Sequence, residues 1–248
     1  MKKMFTSVIT ILMTSSIALS ASSHQSHWGY TGHEGPDNWG TLSEKYTMCS
    51  KGKNQSPINI TSSLDANLDA IDFNYKTSPV KILNNGHTVQ VNIDKGSYIK
   101  LGESRYELIQ YHFHTPSENN IEGESFPLEA HFVHADKDGN LAVVGVMFKE
   151  GKENKQLSEL WGKMPMKAGK NHSLTTEAKD INKLLPNSKE YYRFNGSLTT
   201  PPCSEGVKWM VLAKPLTISK EQVKKFSHAV HGHNNRPIQD INARVILK

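Results

Sequence analysis

Two short stretches constrain this chain more than any others: Gln110-Tyr-His112-Phe-His114 and Glu129-Ala-His131-Phe-Val-His134. On a β-strand, successive side chains point to opposite faces. A strand through the first stretch therefore places Gln110, His112 and His114 on one face, with Tyr111 and Phe113 turned toward a core. In the second stretch Glu129, His131 and Val133 share a face in the same way. The link between them contains Thr115-Pro-Ser and Glu122-Gly, turn residues that allow the second strand to return antiparallel beside the first. An H-x-H pair alone is commonly two half-exposed imidazoles. Three imidazoles converging from adjacent strands, with a fourth position open, form the pattern of a catalytic zinc site. Gln110 and Glu129 each stand two residues before a ligand on the same face, where each can accept the other ring N–H of a metal-bound His.

The rest of the chain reads as one mainly β domain. Short apolar runs at Ile71 and Phe73, Val80 and Ile82, Val89 to Ile93 and Tyr98 to Leu101 alternate in period two, and Asn84-Asn-Gly86 and Asp94-Lys-Gly96 provide turns between them. Helical signal is sparse. Ser219-Lys-Glu-Gln222 forms a capping box for a helix that turns Val223, Phe226 and Val230 inward, and Leu157, Leu160, Trp161 and Met164 make a second short stripe. The aromatic, Gly-rich stretch from His27 to Gly40 has neither period and reads as an irregular segment packed by its rings. With 248 residues, no internal repeat and no composition shift, one domain suffices.

At the N-terminus, Lys2 and Lys3 precede an apolar stretch from Met4 to Leu19 and a small-residue site around Ala18-Leu-Ser20-Ala21. This reads as a signal peptide over residues 1–20, cleaved after Ser20 or Ala21, leaving 21–248 as the domain, periplasmic or secreted. No segment after the leader is long enough to span a bilayer. The net charge of +5 comes from no Lys/Arg run with interleaved aromatics, so nucleic acid is not an expected partner.

His112-Phe-His114, Pro116-Ser-Glu118, Leu128-Glu-Ala-His131 and Gly196-Ser-Leu-Thr-Thr-Pro-Pro-Cys203 together resemble the α-class carbonic anhydrases, especially the secreted bacterial ones. Matching segments run from Trp28 to Pro237. The resemblance implies a central twisted, mostly antiparallel sheet of about ten strands with a few short surface helices. It implies zinc on His112, His114 and His131, and reversible hydration of carbon dioxide to bicarbonate and a proton through zinc-bound hydroxide. Gln110 and Glu129 would orient His112 and His131, and a main-chain carbonyl near Asn242 would orient His114. Thr199 would accept the nucleophile's proton and donate to Glu118, while Thr200 would contact bicarbonate. Val133, Val143, Leu198, Val207 and Trp209 would form the apolar wall for carbon dioxide, although each is, by residue type alone, a core residue. The two cysteines, Cys49 and Cys203, align with a family disulfide; an exported chain suits one. Ser56-Pro57 and Pro201-Pro202 are candidate cis bonds.

His87, after the Asn84-Asn-Gly86 turn, matches the family's proton-shuttle position. Passing a proton from a group of pKa ~7 directly to water costs about 12 kcal/mol, which holds turnover near ~10⁴ s⁻¹. Faster turnover needs an acceptor titrating near neutrality, and His is the natural one. His228, His231 and His233, like His24, His27 and His33, read as surface or core residues, and His134 as a buried structural His. Sulfonamides and anions are the expected inhibitors, and a monomer or homodimer the expected assembly. Two other readings keep the same residues in view: a catalytically inactive carbonic-anhydrase-like binding module, and a metallo-esterase using the same site.

Overall fold

In a computed structural model of the chain, residues 27–175 and 180–248 are described; the leader and His24 lie outside them. Thirteen strands are named: β1 (Asn59–Ile60), β2 (Asp72–Asn74), β3 (Pro79–Asn84), β4 (Val89–Ile93), β5 (Tyr98–Leu101), β6 (Ser104–His114), β7 (Asn120–Ile121), β8 (Leu128–Ala135), β9 (Leu141–Glu150), β10 (Asn171–Ser173), β11 (Tyr191–Ser197), β12 (Glu205–Leu212) and β13 (Leu216–Ile218). Eleven of them make one sheet whose main path is β10-β3-β4-β6-β8-β9-β12-β11, with β5 on β6, β2 on β5 and β13 on β9. The pairings are antiparallel except β12 and β13, which lie parallel to β9. β1 and β7 form a separate parallel pair, and two short helices, α1 (Trp39–Leu42) and α2 (Met48–Lys51), lie in the N-terminal segment. The sheet is thus mostly antiparallel as expected, and its parallel pairings carry no signature in the alternation of the individual strands.

β6 is the pivot of the sheet. Its first half pairs with β5 and its second half with β4, and between Leu108 and Gln110 the register against β8 shifts. A shift of one residue turns every later side chain to the other face. Tyr106 and Leu108 before it, and Tyr111 and Phe113 after it, therefore all enter the same core, while Ile109 is left 48% exposed. An unbroken strand would turn one of these two pairs away from that core, at about 1.5–3 kcal/mol per side chain. That outweighs the ladder hydrogen bond lost at a bulge, worth about 1 kcal/mol. The same shift sends Gln110, His112 and His114 to the opposite face.

Two apolar cores lie against the sheet. The larger contains Tyr111, Phe113, Phe132 and Phe148, and is closed by the helices α3 (Lys155–Lys163) and α4 (Lys220–Ala229). α3 buries Leu157, Leu160 and Trp161. α4 begins at the expected capping box on Ser219 and Gln222 and buries Phe226. The second core gathers Ile58, Val143, Phe194, Val207 and Trp209, with Val133 and Leu198 packed against it. Trp28, Tyr30 and Trp39 pack edge to face in the N-terminal segment, which folds as short helical turns. Ser56-Pro57 and Pro201-Pro202 are cis, as is Thr115-Pro116.

Candidate metal centre

The β6–β8 register sets His112 directly opposite His131, and His114 opposite Glu129. Each of His112, His114 and His131 offers one ring nitrogen within 4.8 Å of the others. Among the described residues this is the group of three or more His, Cys, Asp or Glu side chains so gathered. His112 is half-buried; His114 and His131 are buried. Burial, then the neighbouring imidazoles, hold His112 well below the usual histidine pKa, and burial pulls His114 down to about 4 despite its bond to Asn234 and the nearby Glu129. These two imidazoles are therefore neutral and able to ligate at neutral pH.

Each ring is held by its other nitrogen. His112 Nδ1 donates to Gln110 Oε1 at 2.9 Å. His131 Nε2 stands 2.9 Å from Glu129 Oε1, near enough to pair although off the ideal hydrogen-bond line. His114 Nδ1 donates to the main-chain carbonyl of Asn234 at 2.7 Å. The expectation for Asn242 is therefore corrected: Asn242 is exposed, and its side chain donates to Lys53 O. Asn234 suits the task because it is itself fully engaged. It is 1% exposed, accepts from Thr115 N, and donates to the carbonyls of His87 and Phe113. That leaves His114 Nε2 buried without a hydrogen-bond partner. A buried ring nitrogen left unpaired beside two other imidazoles is what a metal ligand looks like before its metal is counted.

Glu129 accepts from Glu118 N, Asn119 N and Asn119 Nδ2 at 2.8–2.9 Å. Burial alone would raise its carboxyl; His131 and the Asn119 donors outweigh that and hold it below the usual value. Gly145, opposite His131 on β9, leaves the room for this carboxylate, since a Cβ there would meet Glu129 Oε1 at 2.9 Å. Glu118 is 1% exposed and accepts from Arg236 N at 2.8 Å. Burial raises it to about 7, offset in part by His131 and by the nearby Thr199 side chain.

The register also gathers several of the apolar residues expected beside the imidazoles. Gln110, Val133, Val143 and Trp209 lie in one row across β6, β8, β9 and β12, next to the row holding His112, His131 and Gly145. The rows are two residues apart along the strands, about 7 Å. Trp209 meets the His131 ring edge to face at 4.8 Å. Val207 and Leu198 belong to the same core. Thr199 is buried and Thr200 half-buried, in a loop that continues to Cys203, which is bonded to Cys49. His87 is half-buried and stacks on Trp28 with ring centroids 3.7 Å apart and an 8° tilt. Burial, then His27, lowers its pKa. His33, His228, His231 and His233 are exposed, and His134 is buried in the larger core.

A model of the eukaryotic-type carbonic anhydrases matches residues 34–248. The chain belongs to that family. It is 49% identical over 241 residues to a carbonic anhydrase of Neisseria gonorrhoeae, a match covering 96% of this chain and 95% of that protein. With a carbonic anhydrase of Pectobacterium carotovorum it shares 47% identity, covering 96% of this chain and 98% of the other. The α-carbonic anhydrase of Thermovibrio ammonificans, solved with the inhibitor sulfanilamide, superposes with a TM-score of 0.88 at 48% identity, covering 90% of this chain and 99% of that one.

Proposed function

We propose that the protein is a zinc-dependent carbonic anhydrase that reversibly hydrates carbon dioxide to bicarbonate and a proton. The observation that carries this reading is the cluster of three gathered imidazoles, with His114 Nε2 buried and unpaired among them. His112 and His114 would hold zinc through Nε2 and His131 through Nδ1, the nitrogens their partners leave open. Bound there, zinc would lower the pKa of water from its bulk value to about 7, the effect for which carbonic anhydrase is itself the standard measured example.

The chain's own residues supply the rest. Gln110, Asn234 and Glu129 fix the three tautomers. Glu118 would accept a hydrogen bond from the Thr199 hydroxyl, which leaves the Thr199 oxygen to accept from the attacking solvent and aim its lone pair. Carbon dioxide is apolar, and Val133, Val143, Leu198, Val207 and Trp209 give it a wall that offers no competing hydrogen bond beyond the Trp209 N–H. That N–H is already committed to Ser197 O at 3.0 Å. Thr200 contacts bicarbonate. His87 takes the departing proton from the pocket, and its contact with Trp28 holds it at the N-terminal segment. Every one of these residues comes from a single chain, so a monomer or a homodimer would have complete sites.

The intact set of ligands, Glu118 and Thr199 favours this reading over an inactive binding module. Residues 1–20 would serve as a leader that delivers the 21–248 domain to the periplasm or the exterior. Stopped-flow hydration of carbon dioxide, run beside hydrolysis of an activated ester, tests the reaction. The expected result is fast hydration, slow ester cleavage and loss of both on adding a sulfonamide. Ester hydrolysis without hydration would instead make this a metallo-esterase.

A further inference from the structure

Arg236 is a buried cation outside the gathered imidazoles and at 2% exposure one of the largest buried side chains. Its main-chain N–H donates to Glu118 Oε1 at 2.8 Å, whereas its guanidinium turns away from Glu118. There Nη2 donates to the carbonyl of Cys49 at 2.8 Å, and Nη1 donates to Ser56 O and Gln55 Oε1, both at 2.8 Å. Gln55 in turn donates through Nε2 to the carbonyl of Cys203 at 3.0 Å. The Cys49–Cys203 bond closes this into a ring: Cys49 to Cys203 through sulfur, Cys203 to Gln55, Gln55 to Arg236, and Arg236 back to Cys49. Cys203 also ends the loop that carries Thr199, where its N–H donates to Thr200 O at 2.9 Å.

A planar guanidinium with three fixed acceptors has little freedom left. The backbone of Arg236 is therefore pinned, and so is the N–H that it presents to Glu118. The other carboxylate oxygen of Glu118, Oε2, is left to face the imidazoles, 3.5 Å from His114 Nε2 and 3.8 Å from His131 Nδ1. We propose that Arg236 is a positioning residue for the hydration reaction, a strut that transmits the disulfide-clamped ring of Cys49, Cys203 and Gln55 to Glu118 and so fixes the acceptor that orients Thr199. This rests on the carbonic anhydrase reading above and assigns its geometry to residues outside the pocket. A misplacement of about 1 Å in such a constellation costs on the order of 10²-fold in rate.

The test is a double-mutant cycle on the zinc-loaded protein: wild type, Arg236→Met, Glu118→Gln and the double variant, each measured for zinc per chain and for kcat/KM of carbon dioxide hydration. Hydrogen exchange on the metal-free forms follows the peptides around residues 117–119 and 197–205. The proposal expects Arg236→Met to keep its zinc, to lose on the order of ten- to a hundredfold in kcat/KM, and to speed exchange in both peptides. In the Glu118→Gln background the same change should cost less than about twofold, because the group it positions is already gone. An equal loss in both backgrounds marks a merely structural residue and overturns the proposal, as does activity within twofold of wild type. Should Arg236→Met not fold, Gln55→Met removes one anchor, leaves Arg236 in place and is judged by the same cycle. A wild type that hydrates no carbon dioxide removes the functional reading, while unchanged exchange in both peptides removes the strut.

Discussion

His131 and His134 stand three residues apart on β8, on opposite faces of the sheet, and their surroundings give them different tasks. His134 is saturated: the Tyr75 hydroxyl lies 2.8 Å from Nε2, and Nδ1 reaches the carbonyl of Ala142 at 3.2 Å. Burial raises the Tyr75 phenol well above its usual value, so Tyr75 donates and His134 is the Nδ1–H tautomer. His131 has one nitrogen beside Glu129 and its other turned toward His112 and His114. Both rings are buried. What separates a packing histidine from a ligand is the count of nitrogens already spoken for.

The sharpest way to break that comparison is to remove each ring. His131→Ala should lose stoichiometric zinc and at least ~10³-fold in hydration rate while still folding, since the loss of one ligand abolishes the site. His134→Ala should keep zinc and most activity but lose roughly 2–4 kcal/mol of stability through a buried gap and an unpaired Tyr75 hydroxyl. Metal analysis, stopped flow and urea unfolding read all three quantities. The same phenotype from both substitutions would erase the distinction.

The next effect in size belongs to the apolar row beside the ligands. Val143→Tyr should cut kcat/KM for hydration by at least about 10²-fold with zinc content unchanged, because it fills the wall from within the sheet; unimpaired hydration would place the substrate elsewhere. Smaller again is the effect at the rim. His87→Ala should lower turnover about tenfold in weak buffer, and added imidazole should restore it. A rate in weak buffer equal to wild type would leave His87 as a stacked surface residue only.

The smallest effect is on pH dependence. Burial lowers His134 to about 4, against about 6.5 in an unfolded chain. Between those values the unfolded state binds the proton and the folded state does not, so stability falls as pH drops from about 6.5 to about 4. The full contribution is about 3 kcal/mol. In the metal-free protein, His134→Gln should flatten the stability–pH slope over that window by up to one proton. An unchanged slope would mean that His134 titrates normally.

The three gathered imidazoles were legible in the sequence because two strands of period two present them, and period two survives folding. So were the capping box at Ser219 and Gln222 and the stripe on α3. The shift at Ile109 was not: both halves of β6 alternate correctly, and only packing against one shared core shows that the parity changes between them. The resemblance points to a carbonyl near Asn242 behind His114, whereas the carbonyl belongs to Asn234, because no periodicity fixes where an irregular segment brings its backbone. A buried Asn with four polar groups to satisfy is a stronger anchor there than an exposed one. Arg236 lies in the last segment of the resemblance, but nothing in the sequence assigns it a role. Its importance lies in acceptors near residues 49–56, brought together only by the fold. The row that sets Val143 and Trp209 beside the imidazoles likewise depends on β12 lying parallel to β9, a pairing between strands distant in sequence.

One measurement bears most directly on the whole account: zinc-edge X-ray absorption on the purified protein after equilibration with zinc and dialysis. The account predicts one zinc per chain with three nitrogen neighbours at about 2.0–2.1 Å, and no such signal in His131→Ala. A protein that retains no zinc, or holds it with the His131→Ala spectrum identical to wild type, would contradict it.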